Sequence, residues 1–233
     1  TLYVARFDAE GRGRWIALTH GQGPLTTAKG FANQGEVLIK TRQASDLLGA
    51  TKMDRPEWIA VDKEGWVYCT LTNNSNRGAD KQPGIDAANP RANNTMGNII
   101  RWKDDGDFDA VTFQWNHFVL AGDPVNARAE ARGNVKGDAF GCPDGLWVDG
   151  RGVLWIQTDM STSAMGKGDL ANLGHNCMLA ADPATGEVRR FLTGPAGCEI
   201  TGATGTPDGR TMFINIQHPG ESPSERSDPE QPR

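Results

Sequence analysis

Three acidic residues, Glu57, Asp144 and Glu199, each stand at the entry to a strand-like run, and the first two follow a proline directly. Glu57, in "RPEWIAVD", sits at the mouth of what reads as a buried strand, where a carboxylate is costly unless something positive pairs with it. The three positions are related by internal repetition. "PEWIAVDKEGWVY" (56–68) aligns with "PDGLWVDGRGVLW" (143–155), matching Pro56-Glu57 to Pro143-Asp144, Val61-Asp62 to Val148-Asp149 and Gly65 to Gly152. A looser third copy, "CEITGATGTPDGRTMFI", begins at Cys198-Glu199 and turns at Pro207-Asp208-Gly209. In each copy an acid precedes a strand, an Asp-containing turn follows, and a second strand continues; Asp62, Asp149 and Asp208 read as turn residues.

The acids lie 87 and 55 residues apart, which fits about two and one blades of a propeller whose blades run ~40–50 residues. Acids entering the innermost strands of separate blades converge at one mouth of the central channel. Crowded carboxylates repel, and a hard multivalent cation among them relieves the repulsion. The competing reading makes the acids turn caps or partners of Arg55, Arg77 and Arg151. Arg55, two residues before Glu57, either grips an anionic oxygen bidentately or pairs with Asp54 or another acid.

Other chemistries lack their residues. HExxH, HxH and paired cysteines are missing, so a zinc site is not expected, and oxygen donors point to calcium, magnesium, manganese or ferric iron. Cys69, Cys142, Cys177 and Cys198 have no CxxC spacing and read as small buried hydrophobes, with one disulfide left open. GxSxG does not occur, and His20–Pro24 does not form a phosphate loop. His218 reads as a metal ligand or a turn residue ahead of a general acid. Polar tracts follow the second strand of each copy: "TNNSNR" (72–77), "QTDMSTS" (157–163) and "NIQHPGE" (215–221).

The elements that must hold these residues are short runs rich in Val, Ile, Trp and Phe, bounded by Gly, Asp or Asn: "TLYVARF", "RWIAL", "EVLIK", "WIAVD", "WVYCTLT", "NIIRW", "TFQWNHFVLAG", "GLWVD", "VLWIQTD", "CMLAAD", "EVRRFLT" and "TMFINIQ". One helix is expected over 41–49, "TRQASDLLG", capped by Thr41 or Ser45 and stopped by Gly49. With 29 Gly and 13 Pro among 233 residues, the chain is turn-rich and all-β. Net charge is −5 with Lys and Arg scattered, which excludes a basic nucleic-acid stripe, and no apolar run is long enough for a membrane helix.

Four blocks carry a family resemblance: "LYVARFDAEGRGRWIALTHG" (2–21), "MDRPEWIAVD" (53–62), "PDGLWVD" (143–149) and "EITGATGTPDGRTMFINIQHPGE" (199–221). In content, order and spacing they resemble the PhoX-type alkaline phosphatases, from Leu2 to Glu221. The resemblance implies a six-bladed β-propeller that hydrolyses phosphate monoesters, carries iron (Fe3+) and calcium (Ca2+), and is exported to the periplasm or beyond, typically by a twin-arginine signal. It makes Glu57, Asp144 and Glu199 metal ligands and Arg55 a phosphate contact.

Members of that family are longer, and further ligands, including a cysteine on iron, come from sequence ahead of the first block. None of the four cysteines here matches that context, and Cys142 stands where a small residue such as Ser is expected. The chain therefore resembles the C-terminal half: a partial propeller of about three blades over residues 1–221, then a polar tail, 222–233. Open terminal blades expose edges and apolar faces. The missing N-terminal half or a second copy in a homodimer is the expected cover. In the expected mechanism, metals hold a phosphate oxygen and supply a bound oxygen nucleophile, and this stretch alone can be inactive because its site is incomplete. The alternatives are a calcium-dependent lactonase or esterase of the other six-bladed type, and a non-catalytic propeller that binds protein or polysaccharide.

Overall fold

A computed structural model describes residues 1–219. The fold is mostly β, 36% strand against 12% helix, as the turn-rich composition requires, and it is that of a partial propeller. In chain order, β1 (Tyr3–Phe7) and β2 (Arg12–Ala17) precede α1 (Gln34–Ile39) and α2 (Thr41–Leu48). Then come β3 (Pro56–Val61), β4 (Val67–Leu71), β5 (Asn98–Asp104), β6 (Thr112–Leu120) and the two-residue β7 (Lys136–Gly137). β8 (Pro143–Val148), β9 (Leu154–Thr158), β10 (Cys177–Ala181), β11 (Glu187–Thr193), β12 (Glu199–Gly205) and β13 (Met212–Gln217) complete the order. The expected tail, 222–233, lies outside the described residues.

The chain divides into two compact units. The first comprises residues 1–52 and 102–116. Here β1 and β2 form an antiparallel hairpin with Tyr3 opposite Ala17, and β2 pairs onward with the start of β6, Arg12 opposite Gln114. Phe7 lies edge-on to Trp102, Phe113 and Trp115, with ring centroids 4.9–5.9 Å apart, a geometry that adds specific attraction to area burial. Gly13 is obligatory at this spot: a Cβ there would lie 2.1 Å from the Phe113 ring.

The helical part departs from expectation. "EVLIK" is the heart of α1, not a strand, because Asn33 caps it by accepting from the Glu36 amide at 3.1 Å and Val37 turns into a core of Leu18, Leu25, Phe31 and Ala44. The helix expected over 41–49 is α2, and Gly49 ends it in the left-handed region, φ 71°. Neither Thr41 nor Ser45 caps it. The N-cap is Lys40, while the Thr41 and Ser45 hydroxyls donate backwards to the carbonyls of Leu38 and Thr41.

The second unit comprises residues 53–101 and 117–219 and holds the three repeats. β3 pairs with β4; β8 and β9 open a five-stranded sheet in the order β8-β9-β10-β11-β7; β12 pairs with β13. The aspartate turns behave as their sequence implies. Asp62 accepts from the amides of Glu64 and Trp66, both at 2.9 Å, and Asp149 from those of Arg151 and Val153 at 2.9 and 3.0 Å. Asp208 accepts from the Arg210 amide at 3.1 Å, and Gly65, Gly152 and Gly209 supply the positive φ each turn needs.

Tyr68, Ile99, Phe140, Leu146, Leu154, Ile156 and Leu179 form the main core of this unit. Trp155, Met178, Cys198 and Ile200 form a second one, to which Trp147 adds by stacking on Trp155 at 6.5 Å. β3 is not the buried strand its apolar run suggests. It is the last strand in its pairing order, and Trp58, Ile59 and Val61 stand exposed with Glu57.

Candidate metal and anion site

Each repeat enters its first strand through the same backbone device. Two residues before the acid the chain adopts positive φ: 51° at Arg55, 52° at Cys142 and 72° at Gly197. Proline after Arg55 and Cys142 disfavours the right-handed helical region for both, and a non-glycine residue at positive φ stores strain of a kind that collects at functional sites. The ladder then slips. Register breaks between Pro56 and Ile59 in β3 and between Pro143 and Leu146 in β8, so a bulge re-aims the side chains of Glu57 and Asp144 away from regular alternation. In β12 the break falls later, between Ile200 and Gly202.

The repeats are stitched to one another at this end. The Thr70 hydroxyl donates to the Asp144 carbonyl at 2.7 Å and accepts from the Trp58 amide at 3.0 Å, tying β3 and β4 to β8. The Asp159 amide donates to the Cys142 carbonyl at 2.9 Å, as the Thr72 amide does to Arg55 at 3.1 Å. Gly145 lets the strands close in: a Cβ there would lie 2.3 Å from Gln157 Oε1 and 2.9 Å from the Thr201 carbonyl.

This framework gathers Asp144, Asp159 and Glu199, with one carboxylate oxygen from each within 4.8 Å of the others, all three half-buried. Burial first, then the charges of Glu57 and Asp159, pushes the Asp144 carboxyl up to about 6. Burial, with Asp159 and Asp144 adding, pushes Glu199 up to about 7, against a hydrogen bond from Gln217 Nε2 at 3.1 Å. Half-buried carboxyls that raise one another's pKa have the chemistry of a site for a hard, oxygen-seeking cation. The cluster could hold a metal ion.

Two expected ligands, Asp144 and Glu199, thus meet. Asp159, inside the polar tract that follows β9, is the third member and was not singled out from the sequence. Glu57 stands outside this triplet, close enough to act on Asp144, with its own carboxylate 3.5 Å from Arg55 Nη2. Arg55 also donates from Nη1 to Asn73 Oδ1 at 3.1 Å. Of the arginines available as partners, Arg77 is buried against Asp54 at 2.8 Å and Arg151 pairs with its own turn residue Asp149 at 3.0 Å. Neither forms an ion pair with the triplet among the described residues. His218, φ 52°, lies beside Gln217, with its Nε2 2.9 Å from the Gln217 amide nitrogen.

The cysteines are free and buried. Burial pushes the Cys69 thiol up to about 12 and Cys142 up to about 11, which removes them as nucleophiles. Cys142 nonetheless lies at the site, donating to the Thr95 carbonyl and accepting from Asn73 Nδ2, each at 3.4 Å.

The protein is a partial propeller whose repeats deliver carboxylates to one cluster, with a guanidinium in electrostatic range. Residues 1–220 match the family described as alkaline phosphatase PhoX. The chain belongs to that family. A solved structure, Pseudomonas fluorescens PhoX in complex with vanadate, a transition state analogue, is 50% identical and superposes with a TM-score of 0.86 over 94% of this chain. This chain spans 40% of the length of that relative. A gluconolactonase from Xanthomonas campestris aligns over 71% of this chain and 36% of its own, at 17% identity and a TM-score of 0.37. No curated protein matches. Among the described residues no helix is long and apolar enough to cross a membrane.

Proposed function

We propose that this chain is part of a metal-dependent phosphatase acting on phosphate monoesters, in which the described residues, 1–219, belong to the partial propeller domain. The observation that carries the reading is the trio Asp144, Asp159 and Glu199 within 4.8 Å, with Arg55 in electrostatic range of Asp144. In this reading Asp144, Asp159 and Glu199 hold cation, joined by Glu57 when its pairing with Arg55 loosens. Calcium suits the carboxylate donors, and ferric iron suits the same hard oxygens. Bound cations would neutralise phosphate charge and polarise the phosphoryl group.

The rest falls to this chain's own residues. Arg55 takes equatorial phosphoryl oxygens through its fork of donors, stabilising charge as it builds. The strained turns and bulges fix the carboxylates before substrate arrives, so that no reorganisation is needed at the moment of reaction. The Cys142 thiol, held protonated, fills space and donates one weak hydrogen bond.

The exposed apolar residues of β3 and β13, Ile59 at 60%, Val61 at 58% and Phe213 at 59%, are the proposed seat of the remaining blades of a full-length propeller. A relative more than twice as long as this chain supports that cover over a second copy. Sedimentation of this chain, monomer against dimer, separates the two. We place the protein in the periplasm or outside the cell, as the family reading implies.

The test is turnover of an aryl phosphate by the intact protein loaded with ferric iron and calcium. We expect hydrolysis that chelation abolishes and that Asp144→Asn lowers together with bound metal. A loaded protein silent on aryl phosphates but active on lactones would install the calcium-dependent lactonase instead. Metal content unchanged by Asp144→Asn would favour a non-catalytic binding propeller.

A further inference from the structure

Arg55 presents a problem of control. Its side chain is about half exposed, at 52%, and its nearest acid, Glu57, is 3.5 Å away. A long, flexible guanidinium beside a group of carboxylates would collapse onto them and be neutralised, unavailable to an anion. Glu57 accepts from Nη2 at that long distance, and a neutral group holds the other arm more closely. Asn73 Oδ1 accepts from Arg55 Nη1 at 3.1 Å, and the same amide donates from Nδ2 to Cys142 Sγ at 3.4 Å. The amide orientation follows from the partners: a guanidinium has only donors, so the oxygen must face Arg55 and the nitrogen is left for sulfur. Asn73 thereby bridges Arg55 and Cys142, the two equivalent positive-φ residues of adjacent repeats.

Asn73 is itself held from below. Its neighbour Asn74 donates to Asp54 Oδ1 at 2.9 Å, where Arg77 Nε also donates at 2.8 Å, and Asn94 donates to Asp54 Oδ2 at 3.1 Å. Asn74 and Asn94 exchange backbone hydrogen bonds at 2.7 and 3.0 Å. Asp54 is fully buried and directly precedes Arg55, whose carbonyl accepts from the Thr72 amide at 3.1 Å. One buried network therefore sets the backbone on both sides of the Arg55–Asn73 contact.

We propose that Asn73 is a positioning residue for anion binding: a neutral acceptor that aims the Arg55 guanidinium without cancelling its charge. The inference rests on the reading of Arg55 as the phosphate contact. An aspartate in the same place would make the same contact and quench the cation; an alanine would release it.

The experiment is calorimetric titration of inorganic phosphate into the metal-loaded intact protein, with bound metal and thermal midpoint measured for every variant. Asn73→Ala is expected to weaken phosphate binding about 10-fold, the worth of one hydrogen bond to a charged group. Asn73→Asp, of the same shape, should weaken it at least as much. In an Arg55→Ala background Asn73→Ala should add nothing, because the group it positions is gone. Equal weakening in both backgrounds would show a merely structural role and overturn the proposal, as would unchanged binding by Asn73→Ala. Unchanged binding by Arg55→Ala alone would bring down the arginine reading and this inference together; loss with Arg55→Ala beside a neutral Asn73→Ala would bring down only the inference.

Discussion

Replacing a carboxylate of the cluster should make the metal-free protein more stable, not less. Glu199 is raised from 4.5 to about 7, chiefly by burial and then by Asp159 and Asp144. Below about pH 4 the group is protonated whether the chain is folded or not, and it carries no penalty. Between about pH 4 and 7 the unfolded chain ionises first, so the native state binds more protons and stability falls as pH rises. Above about pH 7 the full penalty stands. A shift of that size corresponds to about 3 kcal/mol, which solvent screening of a half-exposed carboxyl reduces to about 1–2 kcal/mol.

Glu199→Gln removes the charge and keeps an oxygen for the Gln217 hydrogen bond. With chelator present, urea unfolding of Glu199→Gln should show a gain of about 1–2 kcal/mol over wild type near pH 8 and almost none near pH 4. Calcium or ferric iron should then stabilise wild type by mass action and the variant much less. A variant less stable than wild type near pH 8 without metal, or a gain independent of pH, would refute the claim that this carboxylate is held in a repulsive cluster.

Two further perturbations probe the polar interior behind the site. Asp54→Asn removes the nearer charge, at 2.8 Å, from the Arg77 guanidinium, 2% exposed, which keeps Asp86 at 3.8 Å, and should cost about 3 kcal/mol in urea unfolding; a loss under about 1 kcal/mol would show that Asp86 and the surrounding asparagines suffice. Gln157 is buried with neither amide atom hydrogen-bonded among the described residues, so Gln157→Met, of similar shape, should be neutral or stabilise by about 1 kcal/mol. A cost above about 2 kcal/mol would instead reveal a partner for that amide.

How far the site could be read in advance follows from what a repeat comparison can detect. Asp62, Asp149 and Asp208 announce their turns because the side-chain hydrogen bonds and the following glycine are local, and local chemistry survives in a linear sequence. Asp144 and Glu199 were legible as members of equivalent positions. Asp159 was not, for a structural reason: an offset of 87 residues places it on Thr72, and the backbone confirms the match, since both amides donate to the residue two before the repeat's acid. The same station in the fold carries a hydroxyl in one blade and a carboxylate in the next, so similarity between copies hides the third carboxylate of the cluster. Asn73 escapes likewise, its work depending on Arg55 across eighteen residues and Cys142 across sixty-nine. β3 misled in the opposite direction, because its apolar run says that something covers it without saying what. Repetition built the scaffold, and Asp159 sits where the repeats differ: three strands enter alike, while the residue that follows each second strand is Thr72, Asp159 or His218, and it is the acidic one that joins Asp144 and Glu199.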